Sequence, residues 1–192
     1  MLDTHARKYV EPFIYKSAAT LSGWGLTANQ VTVIGFGIGV SAGVFVYFEY
    51  TYLALITLWL SGFLDAVDGA IARQTQTSPW GTLLDIIFDR LVELGIIIGL
   101  AFRFPDAMWA LLLLTASIVM SMTVFLTVGA LTEKSGMKSF YYQAGLAERS
   151  ETFILFSFMI VLTDLLVFFT LLFFFMILIT AGQRVIEAKR IL

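Results

Sequence analysis

Residues 64–90 read LDAVDGAIARQTQTSPWGTLLDIIFDR and set four aspartates, Asp65, Asp68, Asp85 and Asp89, at the facing ends of two apolar stretches. Carboxylates at membrane depth are costly, so they usually face a partner or a water-filled cavity. Asp65 and Asp68 are three residues apart and Asp85 and Asp89 four apart, so each pair shares one face of a helix. Two antiparallel helices joined by QTQTSPW therefore present four carboxylates to one point, and converging carboxylates require cations. Hard oxygen donors suit Mg²⁺ or Mn²⁺, whereas zinc normally recruits His or Cys. The chain has no cysteine, and its one histidine, His5, sits far away on an N-terminal segment where a surface role outweighs a metal role. With four acids, two ions are expected, and two ions clamp a phosphoryl group and spread its developing charge. Gly69 lies one turn after Asp65 and Gly81 one turn before Asp85, which removes side chains where a ligand needs room. Arg73 stands ready for a forked contact with phosphate.

The rest of the chain places this cluster in a membrane. Hydrophobic residues make up 59% and charged residues 14%, and the mean hydropathy is +0.88, which excludes an ordinary soluble protein. The 192 residues leave room for about six spans of roughly 20 residues and for no separate soluble domain. Residues 1–192 therefore read as a single domain. A net charge of -2 gives none of the clustered basic surface that nucleic acid binding requires. The first sixteen residues, MLDTHARKYVEPFIYK, lack the apolar core and cleavage site of a signal peptide and are expected in the mature protein.

Periodicity predicts an amphipathic helix lying in the membrane interface over residues 3–21, started or kinked by Pro12. Six spans follow at about 30–48, 52–73, 82–102, 106–131, 151–163 and 165–186, with Thr27 or Asn29 capping the first and Asp164 breaking the last two apart. The fold class is thus all-α and integral to the membrane. Gly35, Gly39 and Gly43 recur every four residues, a smooth stripe for close helix approach. The overlapping GFGIG lacks the preceding strand of a nucleotide loop and reads as packing. The Phe-rich LLVFFTLLFFFMIL of the last span reads as a lipid-facing or dimer-packing surface. Six spans put both termini on one side, with Arg7, Lys8, Lys16, Arg73, Arg90, Lys134, Lys138, Arg149, Arg184, Lys189 and Arg190, and leave only Arg103 opposite. By the positive-inside rule the crowded side, which carries the aspartates, faces the cytoplasm.

Asp65-x-x-Asp68-Gly69-x-x-Ala72-Arg73, then Gly81-x-x-x-Asp85-x-x-x-Asp89, resembles the signature of the CDP-alcohol phosphotransferases, with eight fixed positions matched across 25 residues. The interval of seven residues between Arg73 and Gly81 is one short of the family's usual spacing. The charged N-terminal helix, the LTANQVT entry to the first span and the six spans are also similar to that family. The resemblance implies transfer of a phosphatidyl-type group from a CDP-linked lipid to an alcohol, with release of CMP, in a homodimer embedded among membrane lipids. It implies metal binding by Asp65, Asp68, Asp85 and Asp89, with Asp89 also the general base on the acceptor hydroxyl. It further implies nucleotide packing at Asp68, Gly69 and Gly81, Arg73 near the diphosphate, and an approach of Asn29 and Thr32 to the same site. Lys134, Lys138 and Arg149 are candidates for a phosphorylated acceptor, weighed against a role as topology determinants. The acceptor is open among glycerol phosphate, inositol phosphate, serine and other alcohols.

The competing readings are weaker. Burial of the aspartates as salt bridges with Arg73 and Arg90 explains neither the two glycines nor the number of acids. Glu93 extends the row of acids by another turn, and anchoring of Arg90 outweighs a part in orienting the acceptor. A divalent cation transporter would distribute acids through membrane depth on several helices. A metal-dependent membrane phosphatase would use the same ions but release inorganic phosphate in place of CMP.

Overall fold

The computed structural model describes residues 2–131 and 149–191, with side chains from Val10 to Arg190 among them. Every regular element among the described residues is helical, as expected. The helices are α1 (Leu2–Gly23), α2 (Ala28–Tyr47), α3 (Thr51–Gln74), α4 (Pro79–Arg103), α5 (Met108–Leu131), α6 (Arg149–Val161) and α7 (Leu166–Ile191), with 3₁₀ turns at Pro105–Ala107 and Thr163–Leu165. They form two compact units, one from Leu2 to Pro105 and one from Asp106 onward.

In the first unit α2 is the common partner. Both α3 and α4 pack along it, and they make few direct contacts with each other. The glycines of α2 make this possible. A Cβ built on Gly43 would collide with the backbone of Gly95, and one built on Gly99 would collide with the backbone of Gly43, so α2 and α4 cross with their main chains touching. Nearer the start of α2, the rings of Phe36 and Phe88 stack at 4.1 Å between centroids and fill the interval between the same two helices. On the other flank, Ala18 of α1, Val31 of α2 and Val67, Ala70 and Ile71 of α3 form a buried cluster that ties α1 to the bundle. Pro12 lies inside α1 and does not start it. Gly43→Val is expected to lower stability by about 2 kcal/mol or more, because overpacking a tight contact forces the backbones apart. Gly37→Val, which meets open space, is the control, and thermal unfolding in detergent reads both.

Capping sets two helix starts a few residues ahead of the expected bounds, and Thr27, one of the two caps expected for the first span, is the cap of α2. The side chain of Thr27 accepts the Gln30 N–H at 3.4 Å while the Gln30 side chain accepts the Thr27 N–H at 2.9 Å, a reciprocal cap that starts α2 at Ala28 and not at residue 30. Ser78 Oγ accepts the Gly81 N–H at 3.0 Å, and Pro79 occupies the first helical position, where no N–H is needed. The expected third span at 82–102 therefore begins at Pro79, and the connection from α3 shrinks to residues 75–78. At the opposite end Arg103 Nη1 donates to the Val46 carbonyl at 3.3 Å, and its Nε lies 3.6 Å from the Glu49 carboxylate, which joins the ends of α2 and α4.

In the second unit α5 and α6 each pack on α7. Phe173 is buried edge-on against Phe156 at 5.3 Å, while Phe168 and Phe175 of the same Phe-rich stretch point outward. The expected break at Asp164 falls within the 3₁₀ turn between α6 and α7. Among the described residues four helices, including the adjoining 3₁₀ turns, are long and apolar enough to cross a membrane: Ala28–Tyr47, Thr51–Gln74, Pro105–Leu131 and Thr163–Arg190. α4 has the length but carries Asp85, Asp89, Arg90, Glu93 and Arg103. α6 has 13 residues, about 20 Å of helix against a hydrocarbon core of about 30 Å. Exposed aromatic side chains gather at both ends of the first unit, Trp24 and Trp80 at one end and Tyr47, Tyr50, Tyr52 and Phe102 at the other.

Candidate active site

Helical rise sets the height of the acids. Asp65 and Asp68 stand about 21 and 26 Å along α3 from Thr51, while Asp85 and Asp89 stand about 9 and 15 Å into the antiparallel α4, so both pairs fall toward one end of the first unit. There the side chains of Asp65, Asp68 and Asp85 each offer a carboxylate oxygen, and the three oxygens lie within 4.8 Å of one another. Asp68 is buried at 5% exposure, and Asp65 and Asp85 are half-buried. Like charges at that spacing repel by roughly 3 kcal/mol per pair at an effective dielectric near 20, a load that a divalent cation removes. The donor set fits such a cation: three carboxylates from two helices, with neither sulfur nor imidazole among them, match a hard ion held by oxygen. Asp89, half-buried one turn further along α4, stands outside this triad.

The glycines of the motif adjoin Arg73 and Asn29. A Cβ on Gly69 would come within 3.2 Å of the Arg73 guanidinium, and one on Gly81 within 3.0 Å of Asn29 Oδ1 and 3.2 Å of Ser78 Oγ. The start of α2 and the start of α4 thus meet, with Asn29 Oδ1 beside Gly81. Arg73 is exposed in the last turn of α3. Thr32 is buried on the next turn of α2, and its hydroxyl donates to the Ala28 carbonyl at 3.0 Å. Glu93 is buried and pairs with Arg90, the anchoring role weighed above.

Lys134 and Lys138 are outside the described residues. Arg149 opens α6 in the second unit, half-buried, its guanidinium 5.6 Å from the centroid of the Phe153 ring. Arg184, which by sequence counts only toward topology, is half-buried on α7, donates to Ser121 Oγ at 3.3 Å and lies 4.9 Å from the centroid of the Phe125 ring.

Comparison with known proteins agrees with the motif. The sequence pattern of the CDP-alcohol phosphatidyltransferase family matches residues 25–185. The inner membrane protein YnjF of Escherichia coli is 34% identical over 165 residues, which cover 81% of this chain and 80% of that protein. An archaetidylinositol phosphate synthase of Pyrococcus horikoshii is 41% identical over 96 residues, half of this chain and 51% of that protein. The solved phosphatidylinositol phosphate synthase of Mycobacterium tuberculosis shares the fold. Its complex with manganese and citrate superposes with a TM-score of 0.75 at 21% identity, over 91% of this chain and 88% of that one. Its CDP-DAG-bound form gives 0.73 at 22% identity, over 91% and 92%. The chain therefore belongs to the CDP-alcohol phosphatidyltransferases, membrane enzymes of phospholipid biosynthesis.

Proposed function

We propose that the protein transfers a phosphatidyl-type group from a CDP-linked lipid to an alcohol and releases CMP. The observation that carries this reading is the Asp65–Asp68–Asp85 triad, three acids of one family motif drawn to one point from two helices. Asp65, Asp68 and Asp85 hold Mg²⁺ or Mn²⁺, with Asp89 completing a site for two ions. When bound, the ions supply positive charge to the diphosphate and to the oxygens that attack and leave. Gly69 and Gly81 leave the cytidine nucleotide room beside Asp68, Arg73 pairs with the diphosphate, and Asn29 and Thr32 border the same pocket. Asp89 takes the proton from the acceptor hydroxyl as its oxygen bonds to the lipid-side phosphorus and the bond to CMP breaks. A carboxylate is a weak base for a hydroxyl, so most of the barrier falls to positioning and charge stabilisation.

Among acceptors, a polyol phosphate is favoured over serine, and inositol phosphate over glycerol phosphate. Support comes from the inositol phosphate products named for relatives in Pyrococcus horikoshii and Streptomyces avermitilis. Lys134, Lys138 and Arg149 are the cations proposed for the acceptor's phosphate, with Arg184 a fourth. The whole chain acts as one six-span domain with α1 in the interface, its site facing the cytoplasm, paired as a homodimer. Inclusion of α4 as a span is supported by the exposed aromatics Trp80 and Phe102 at its two ends.

Radiolabelled CDP-lipid supplied with Mn²⁺ and, in turn, inositol phosphate, glycerol phosphate and serine tests the reading. CMP and a labelled inositol phosphate lipid are expected. Inorganic phosphate in place of CMP overturns the transferase reading, and product from serine alone overturns the acceptor.

A further inference from the structure

We propose that Gly39, on the helix that carries none of the four acids, is a positioning residue that sets the spacing of the metal-binding carboxylates. The inference rests on the reading of those acids as metal ligands. Gly39 is the point on α2 where both carboxylate helices converge. A Cβ built there would lie 2.6 Å from Val92 Cγ2 of α4 and 3.0 Å from Ser61 Cβ of α3, with Ser61 Oγ nearer still. Ser61 precedes Asp65 by four residues on α3, and Val92 follows Asp89 by three and Asp85 by seven on α4, so each contact lies on the carboxylate-bearing side of its helix. The neighbours have little freedom to yield. A valine in a helix holds one χ1 rotamer, and Ser61 Cβ is fixed to its own backbone. Relief therefore has to come from the helices. Carbon atoms rest at about 3.5–4.0 Å, so one added methyl displaces α3 and α4 outward by roughly 1 Å, against a tolerance of about 0.2 Å in metal–ligand distances. Because α3 and α4 make few contacts of their own, little else restores their separation.

The test uses the full-length protein purified in detergent, with free Mn²⁺ followed by electron paramagnetic resonance during titration and CMP release measured across the same concentrations. Gly39→Ala is expected to weaken Mn²⁺ binding and raise the half-saturating Mn²⁺ for activity together, each by roughly tenfold or more, in a protein that still unfolds cooperatively. Gly37→Ala, at a position that meets open space, leaves both unchanged. Combining Gly39→Ala with Ser61→Gly and Val92→Ala is expected to recover most of the lost affinity, which a general weakening of the fold does not predict. If Gly39→Ala fails to fold, Ser61→Thr adds one methyl at the same junction and is expected to show a smaller shift in the same direction. Wild-type Mn²⁺ binding by a folded Gly39→Ala, or by Ser61→Thr in its place, overturns the proposal. Asp65→Asn separates the two levels: wild-type binding by that variant removes the ligand reading and this proposal with it. A defective Asp65→Asn beside an unaffected Gly39→Ala removes this proposal alone.

Discussion

Asp89→Asn is expected to reduce CMP release by about 10²–10⁴-fold, the usual contribution of a positioned acid or base, while Mn²⁺ binding weakens less than in a triad variant and thermal unfolding stays close to wild type. The asymmetry follows from the geometry. Asp65, Asp68 and Asp85 already bring three oxygens within 4.8 Å without Asp89, which stands one turn further along α4. Removing its charge therefore leaves the core of the metal site in place and takes away a proton acceptor. The amide keeps the size and the hydrogen-bonding reach of the carboxylate, so a change in packing cannot account for the loss. CMP release at the wild-type rate would end the assignment of Asp89 as base. A loss of Mn²⁺ binding as deep as that of a triad variant would make it a ligand first.

Asp68→Ala should act differently, with no detectable transfer and a loss of Mn²⁺ affinity exceeding the 10–100-fold typical of groups one shell removed from a metal. Asp68 is the most buried of the four acids, at 5% exposure, so solvent is poorly placed to replace its oxygen. The same variant relieves like-charge crowding, so its thermal midpoint without added metal is expected to match or exceed that of wild type. Mn²⁺ should then raise the midpoint of wild type and not of the variant, because a ligand that binds only the folded state stabilises it in proportion to its affinity. Full activity in excess chelator would refute the metal role of the whole triad.

Much of this site was legible because helical periodicity is simple. Spacings of three and four within each pair were enough to place Asp65 with Asp68 and Asp85 with Asp89, and the short connection made the helices antiparallel. What periodicity does not encode is which helix lies next to which. The stripe of Gly35, Gly39 and Gly43 announced a close approach, yet only the fold identifies Gly95 and Gly99 as its counterpart on α4. The starts of α2 and α4 moved outward because capping by Thr27 and Ser78 recruits polar residues that a hydropathy pattern leaves to the loop. Asn29 was nominated by resemblance, and its contact with Gly81 arises from the meeting of two helix starts that are distant in sequence. Arg184 was passed over because a positive charge near a terminus is ordinarily a matter of topology, and its ring and hydroxyl neighbours come from another helix.

Because α3 and α4 are each held by α2 and scarcely by each other, one helix that carries no acid supports both acid-bearing helices. Cohesion of the first unit therefore rests on α2, and overpacking its glycine face is expected to loosen α3 and α4 together.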